Sequence, residues 1–418
     1  MHPKSIDMGL SRVTSVARTL GVDKAASRVI TVAGTNGKGS TVAHLEALLL
    51  AAGVSTGMFT SPHFIRYNER IRVGGVEIGD AELVAAFERI EQARGSTTLT
   101  FFEYNALAAL LIFADRAVEV AILEVGLGGR LDAVNLVDAD VAIVCSIGFD
   151  HRDYLGDSVE QIGAEKAGIF RSGRPAVLST PDMPDSVYSE IKRLGARGVV
   201  AEKDFTWQVL PSAGGLGGVV RDRWNYRGLR LVLDDLPASA LVGSIQYRNA
   251  SAAIAAIESL DAAAYGLNAQ SVSHALGNVR LAGRFQVVPG PVEWILDIAH
   301  NEPAALVFAQ HVRERAVPGG GRTFAVVGIL ADKDAPEIAG ALEALVDHWF
   351  LCSLPGARGT SASDLAQRLQ LPSDEVTLAN SVEEGCEAAR AMAVPGDRVI
   401  VFGSVYTVGP ALRWLRVY

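Results

Sequence analysis

The chain has 418 residues, of which 49% are hydrophobic and 20% charged; this excludes disordered and fibrous classes and exceeds one ordinary core, so two or three domains are expected. A formal net charge of -9 argues against general attraction to nucleic acid or anionic membrane, so an anionic ligand has to be met by local cations, backbone N–H groups or metal ions. The three cysteines (Cys145, Cys352 and Cys386) are odd in number and far apart, which gives neither a disulfide framework nor metal-ligand spacing and points to a reducing compartment.

In chain order, Met1–Leu20 carries scattered charges and no apolar h-region, so no signal peptide is expected there. Strand Val29–Ala33, helix Thr41–Ala52 and strand Ser55–Thr60 follow, then helices Asp80–Ala93 and Phe102–Asp115 and strands Val118–Val125 and Asp140–Ser146. Strands apolar on both faces and separated by helices predict a parallel sheet covered on each side, an α/β fold. From Phe205 to Leu233, short strand-like pieces with glycine-rich breaks predict an antiparallel excursion, and helices return at Arg248–Ser259 and Ala269–Leu276. A second series then begins: strand Glu293–Ile298, helix Pro303–Glu314, strand Thr323–Ile329, helix Ala335–Leu345, strand His348–Ser353, helix Ser361–Leu369, strand Arg398–Phe402 and a final helix. Pro318–Gly321 reads as a loop inside it. The boundary is expected near Leu281–Arg284, dividing the chain into 1–281 and 282–418. No segment approaches the ~20 apolar residues of a membrane span. A cytoplasmic protein without nucleic-acid or membrane partners is the expectation.

The strongest motif is Gly34-Thr35-Asn36-Gly37-Lys38-Gly39-Ser40-Thr41, set between an apolar strand and a helix. Glycines let backbone N–H groups turn toward phosphates, the helix start offers its positive end, and Lys38 adds a charge. Ser40 is suited to hold Mg²⁺ through its hydroxyl. Gly39 separates the lysine from the serine, which departs from the common P-loop pattern and disfavours a generic kinase or GTPase. Glu124, ending an apolar strand, suits Mg²⁺ or serves as a capping or ion-pair residue with Arg130. His151 follows the next strand and is either functional or structural. Lys166, near a helix end, reads by itself as a solvated lysine satisfying the helix C-terminus.

Together these segments resemble the folylpolyglutamate synthase and dihydrofolate synthase group of the Mur ligase superfamily. The resemblance rests on the loop at Gly34–Ser40, on Thr60–His63, Glu124–Asp132, Asp150-His151 and Glu165–Ile169, and on Asp297–Asn301, where Ile298 stands in place of the family's glycine and Glu302 in place of its proline. Ile6–Leu10 resembles the pterin-contacting stretch of the bacterial bifunctional type, and Val401–Ser404 is also family-like. The resemblance implies a P-loop, Mur-ligase-like domain with a parallel sheet and a smaller Rossmann-like α/β C-terminal domain. Its implied reaction activates a substrate carboxylate as an acyl phosphate with ATP and joins it to L-glutamate, on dihydropteroate or on the glutamate tail of reduced folates.

The same resemblance implies roles residue by residue. Lys38 and the loop from Gly34 to Thr41 would hold the ATP phosphates, and Asn249, Arg284, Asp297 and His300 would approach the nucleotide, the last three from the second domain or its hinge. Ser40, Ser61 and Glu124 would serve one Mg²⁺, and His151 a second. Lys166 would carry a CO₂-derived carbamate beside that second metal. Asp7, Met8, Gly9, Leu10, Thr100, Phe101, Phe102, Glu103, Leu131, Asp132 and Ala133 would line the pterin site, with Phe102 as a stacking face and Asp132 hydrogen-bonding the ring. Lys38, Lys166 and His151 are the expected catalytic residues, a monovalent cation is a further candidate cofactor, and a monomer is expected. Competing readings are a Mur-type ligase for a peptidoglycan precursor or polyamino acid, a nucleotide-gated P-loop module, and a P-loop kinase.

Overall fold

The computed structural model describes residues 7–23, 26–210, 222–315, 317 and 320–418. Ile6, residues 211–221 of the expected excursion, and Pro318 and Gly319 of the expected loop lie outside the described residues. The chain forms two compact units, Met1–Ala240 with Gln246–Arg280 and Leu281–Tyr418 with Leu241–Ile245.

The first unit runs α1 (Ser11–Leu20), β1 (Arg28–Ala33), α2 (Lys38–Ala51), β2 (Thr56–Phe59), β3 (Ile71–Val73), β4 (Val76–Glu77), α3 (Asp80–Arg94), α4 (Phe101–Asp115), β5 (Val120–Glu124) and β6 (Val141–Val144). It continues through α5 (Arg152–Leu155), α6 (Val159–Ala167), β7 (Pro175–Leu178), α7 (Asp185–Leu194), β8 (Arg197–Val200), β9 (Thr206–Leu210), β10 (Arg223–Arg227), β11 (Val232–Pro237), α8 (Ile245–Tyr265) and α9 (Ala269–Asn278). Its main sheet has the order β4-β3-β2-β5-β1-β6-β7-β8. The six strands from β2 to β8 pair in parallel, and β3 and β4 add an antiparallel edge.

Alternation along the central strands builds a core on each face. Val29 and Ala33, Ala121 and Leu123, and Ala142 and Val144 join one cluster with α4. Ile30 and Val32, Val120 and Ile122, and Val141 and Ile143 join the other with α2 and α8. This double burial is why β1, β5 and β6 read as continuous apolar runs. The expected antiparallel excursion is the three-stranded sheet β11-β10-β9, whose Trp224 and Tyr226 pack into the second cluster.

The second unit contains β12 (Gln286–Val288), β13 (Glu293–Leu296), α10 (Glu302–Glu314), β14 (Thr323–Val327), α11 (Ala335–Gly340), β15 (His348–Cys352), α12 (Ala362–Leu369), β16 (Val376–Ala379), α13 (Val382–Met392), β17 (Arg398–Phe402) and α14 (Val405–Leu415). Its sheet has the order β12-β13-β17-β14-β15-β16, parallel except for β12. The helix expected over Ala335–Leu345 is shorter: α11 stops at Gly340 and a separate 3₁₀ turn covers Glu343–Leu345. No helix of the described residues is long and apolar enough to cross a membrane.

Candidate active site

The sheet order places β2, β5, β1 and β6 side by side, so the segments leaving their C-terminal ends meet. Those segments are Thr60-Ser61, Glu124, the glycine-rich loop and Cys145–His151. In parallel sheets this is where ligand sites form, beside strands that depart in opposite directions along the sheet.

The phosphate loop is held open by its glycines. Gly34 has φ 151° and Gly37 φ 91°, and Cβ atoms there would come within 3.0 and 3.3 Å of the Cys145 Cβ. Thr35 N–H donates to the Ser146 carbonyl (2.8 Å), and Asn36 N–H to the Ser146 hydroxyl (3.2 Å). The Lys38 ammonium lies across the loop, donating to the carbonyls of Gly34 (2.9 Å) and Thr35 (3.3 Å). Ser40 is buried in the first turn of α2, and the ring of His44 contacts its carbonyl through Nδ1 at 2.7 Å. Burial lowers the His44 pKa to about 4, keeping that ring neutral.

Glu124 is 3% exposed. Its Oε2 accepts from the Thr60 hydroxyl and from the Ser61 amide (3.2 Å), which ties β5 to the residues following β2. Oε1 takes no hydrogen bond from the described residues. The ion pair with Arg130 considered above does not form: Arg130 pairs with Glu165 at 2.7 Å. His151 has φ 52° at the head of α5, its N–H donating to Asp150 Oδ1 (2.9 Å).

Lys166 is not the solvated helix-end lysine that local sequence suggests. It is 5% exposed, and its ammonium donates to the Gly34 carbonyl (3.1 Å), the same oxygen that Lys38 contacts. Burial first, and the Lys38 charge second, lower its pKa from 10.5 to about 7. Carboxylates at Asp150 and Asp132 oppose that shift.

A cavity of about 280 Å³ opens beside this cluster. Asp7, Met8, Gly9, Thr100, Phe101, Phe102, Glu103, Leu131, Asp132 and Ala133 line it, joined by Ser61 and His151 from the metal candidates. Leu10, expected among them, instead precedes α1 and packs against the core. Glu103 and Thr100 form the capping box of α4, and Arg12 bridges Glu103 Oε1 (3.1 Å) to Asp7 Oδ2 (2.6 Å). Asp132 accepts the amides of Gly126 (3.0 Å) and Leu127 (2.9 Å) on Oδ2 and of Val134 (3.0 Å) on Oδ1, so it first shapes the loop after β5. Burial raises its pKa to about 6.

Sequence reasoning missed Arg12 and Arg70. Arg70 is buried in the cavity wall, donates from Nε to His63 Nδ1 (2.8 Å), and sits 5.3 Å from the Phe101 ring centre. Asn249 is buried, its amide donating to Gln246 Oε1 (3.2 Å), while its Oδ1 lies 3.2 Å from the Cβ position of Gly37 and has no partner.

In the second unit, Asp297 follows β13 and accepts the amides of Phe285 (2.8 Å) and Ala299 (2.9 Å). Burial raises its pKa, with the Arg284 guanidinium as the largest opposing influence. His300 is three residues on, before the Asn301 cap of α10.

Among the described residues, no cluster of three or more His, Cys, Asp and Glu side chains can cage a metal. Hydroxyls with one carboxylate fit Mg²⁺, which takes hard oxygen donors, keeps several waters and shares substrate phosphates instead of needing a protein cage.

Two family models match the chain: "Mur ligase middle domain" over residues 32–200 and "Mur ligase, glutamate ligase domain" over residues 283–405. The dihydrofolate synthase/folylpolyglutamate synthase of Escherichia coli K12 is 41% identical over 413 residues, covering 99% of this chain and 92% of that protein. Among solved structures, E. coli FolC in complex with DHPP and ADP matches with a TM-score of 0.90 at 40% identity, covering 99% of this chain and 95% of that one. The bifunctional folylpolyglutamate synthase/dihydrofolate synthase from Yersinia pestis, complexed with AMPPNP and Mn, matches with a TM-score of 0.88 at 39% identity, covering 100% and 96%. The chain therefore belongs to the dihydrofolate synthase/folylpolyglutamate synthase family of Mur ligases.

Proposed function

We propose that this chain is an ATP-dependent ligase that adds L-glutamate to dihydropteroate and to the glutamate tail of reduced folates. The observation that carries this reading is one cavity wall: aromatic side chains share it with Ser61 and His151, which follow strands of the same sheet whose β1 leads into the phosphate loop. A flat pteridine acid seated against Phe102 would direct its carboxylate toward those two residues. The nucleotide complexes of the relatives support ATP as the phosphoryl donor and a divalent metal as cofactor.

A carboxylate acylates poorly because oxide would have to leave; transfer of the γ-phosphoryl group gives an acyl phosphate from which phosphate departs. That transfer brings two anions together, and the Lys38 ammonium with the loop amides counters their repulsion. The amine of glutamate, once deprotonated, then attacks the acyl carbon. Mg²⁺, when bound, would add positive charge against the phosphate oxygens, with Ser40, Ser61 and Glu124 holding one ion and His151 and carbamylated Lys166 a second. Lys166 suits carbamylation because its amine is close to half neutral at pH 7. The neutral amine adds CO₂ and releases one proton, leaving a carbamate anion; starting from the ammonium, two protons are released and a cation becomes an anion.

The direct test is ADP release with glutamate and dihydropteroate, then with tetrahydrofolate, with products weighed by mass spectrometry. One ADP per amide formed is expected. Absence of both with every pteridine acid would overturn the reading.

The aromatic face gives a second test. A Cβ on Gly126 would lie 2.5 Å from the Phe102 ring, so Gly126→Ala should displace that ring. The KM for dihydropteroate should rise about tenfold while ATP affinity stays near wild type, since losing an aromatic packing contact costs roughly 1 kcal/mol. An unchanged KM would remove Phe102 from substrate binding.

A further inference from the structure

Val42, Leu45, Leu48 and Leu49 of α2 are buried in the second core cluster. His44 interrupts this apolar run with a ring that is 1% exposed. A buried imidazole is tolerated only when its nitrogens are bonded, a requirement that a leucine would avoid. Both are bonded: Nδ1 lies 2.7 Å from the Ser40 carbonyl and Nε2 2.9 Å from the Ser239 hydroxyl. A carbonyl oxygen only accepts, so in the neutral ring Nδ1 carries the proton and Nε2 accepts from Ser239.

The helix itself does not need this bridge, because the main-chain ladder of an α-helix already uses each interior carbonyl. The turn that the ring grips does need holding: Gly37 and Gly39 flank Lys38 there and offer no side chain to pack it in place. Ser40 belongs to the same turn and carries the hydroxyl assigned above to Mg²⁺. At the far end, Ser239 is fixed from both sides. Ala238 N–H donates to the Asp222 carbonyl (3.0 Å), and Ala240 N–H donates to the Leu276 carbonyl of α9 (2.8 Å). The ring therefore ties a glycine-rich turn to a braced segment 195 positions further along the chain.

We propose that His44 is a positioning residue of the phosphate site: it fixes the first turn of α2 against Ser239 and thereby sets the Ser40 hydroxyl for a nucleotide-bound Mg²⁺. This role rests on the ATP-dependent reading of the loop.

Ser239→Ala releases the far end and leaves the ring in place, whereas His44→Leu removes both contacts. His44→Asn keeps a donor for the Ser40 carbonyl but is too short to reach Ser239. Binding of ATP to the full chain, with and without Mg²⁺, would be measured by calorimetry below the Tm of each ligand-free variant. In Ser239→Ala, Mg·ATP should bind about fivefold more weakly, the weight of one hydrogen bond, while metal-free ATP binds as in wild type. His44→Leu should lose about tenfold or more with the same selectivity for the metal complex, and His44→Asn should recover part of that loss. Ser239→Ala supplies the comparison on its own should His44→Leu fail to fold. A ring that only fills the core would lower Tm in these variants and leave the ratio of Mg·ATP to metal-free ATP affinity at its wild-type value; that result would overturn the role. Wild-type protein whose ATP binding is absent or indifferent to Mg²⁺ would instead overturn the reading of the loop itself.

Discussion

Lys166→Met should reduce amide formation on the order of 10³-fold or more while leaving ATP binding measurable, because the carbamate proposed for this site would be lost from a charged transition state while the phosphate loop is kept. The loop keeps other ties without this side chain: Thr35 N–H to the Ser146 carbonyl, Asn36 N–H to the Ser146 hydroxyl and the Lys38 ammonium to the Gly34 carbonyl. Lys166→Arg should be equally inactive, since a guanidinium stays protonated and cannot capture CO₂. Wild-type turnover in either variant would remove the carbamate role. The pH dependence of stability gives an independent readout. The unfolded lysine keeps its proton to about pH 10.5, the folded one releases it near 7, so the unfolded state binds more protons between those values and wild-type stability rises with pH across them. Below about pH 7 the folded protein holds a buried ammonium, a cost that Lys166→Met lacks. The ligand-free variant should therefore exceed wild type in Tm most at pH 6 and lose that advantage toward pH 10. A gap that does not change with pH would mean that Lys166 is solvated after all. Turnover of the wild type should fall as pH drops through about 7, because the protonated amine cannot add CO₂.

The parts of the site legible in sequence are those whose chemistry is local. Gly34–Ser40 announces itself through glycines and a lysine between strand and helix, and Glu124 through a carboxylate ending an apolar run. The parallel sheet was legible for a related reason: strands buried on both faces lose their polar alternation. Lys166 shows the opposite case. Its burial comes from the carbonyl of Gly34, 132 positions earlier, which no local pattern contains, and only the family resemblance raised it above a surface lysine. Arg70 reaches the cavity from the 3₁₀ turn before β3, so it has no signal in its neighbours. In the second unit, β16 went unread because three of its four residues are not buried, which removes the apolar run a central strand would show. The helix over Ala335–Leu345 was overextended because helical periodicity continues past Gly340, where the backbone tightens into a 3₁₀ turn.

Glu124→Gln should lower turnover on the order of 10²- to 10³-fold, with the deficit narrowing as Mg²⁺ is raised, because a metal-bound charge contributes several kcal/mol to stabilising a phosphoryl transition state. The substitution separates the bracing seen for this side chain from its proposed hold on Mg²⁺. One oxygen supports structure, accepting the Thr60 hydroxyl and the Ser61 amide, and a glutamine carbonyl can accept both. The other oxygen takes no hydrogen bond from the described residues, and there glutamine presents an NH₂ group, which repels a cation instead of binding it. If Glu124 only braced the strand ends, the glutamine variant would keep both its rate and its Tm. If it holds Mg²⁺, Tm should stay near wild type while the Mg²⁺ concentration for half-maximal rate climbs. Glu124→Ala should lose both, since the Thr60 hydroxyl is then left without its acceptor, at a cost of about 1–3 kcal/mol. A glutamine variant with wild-type rates at limiting Mg²⁺ would assign Glu124 to bracing alone and move the first metal to other ligands.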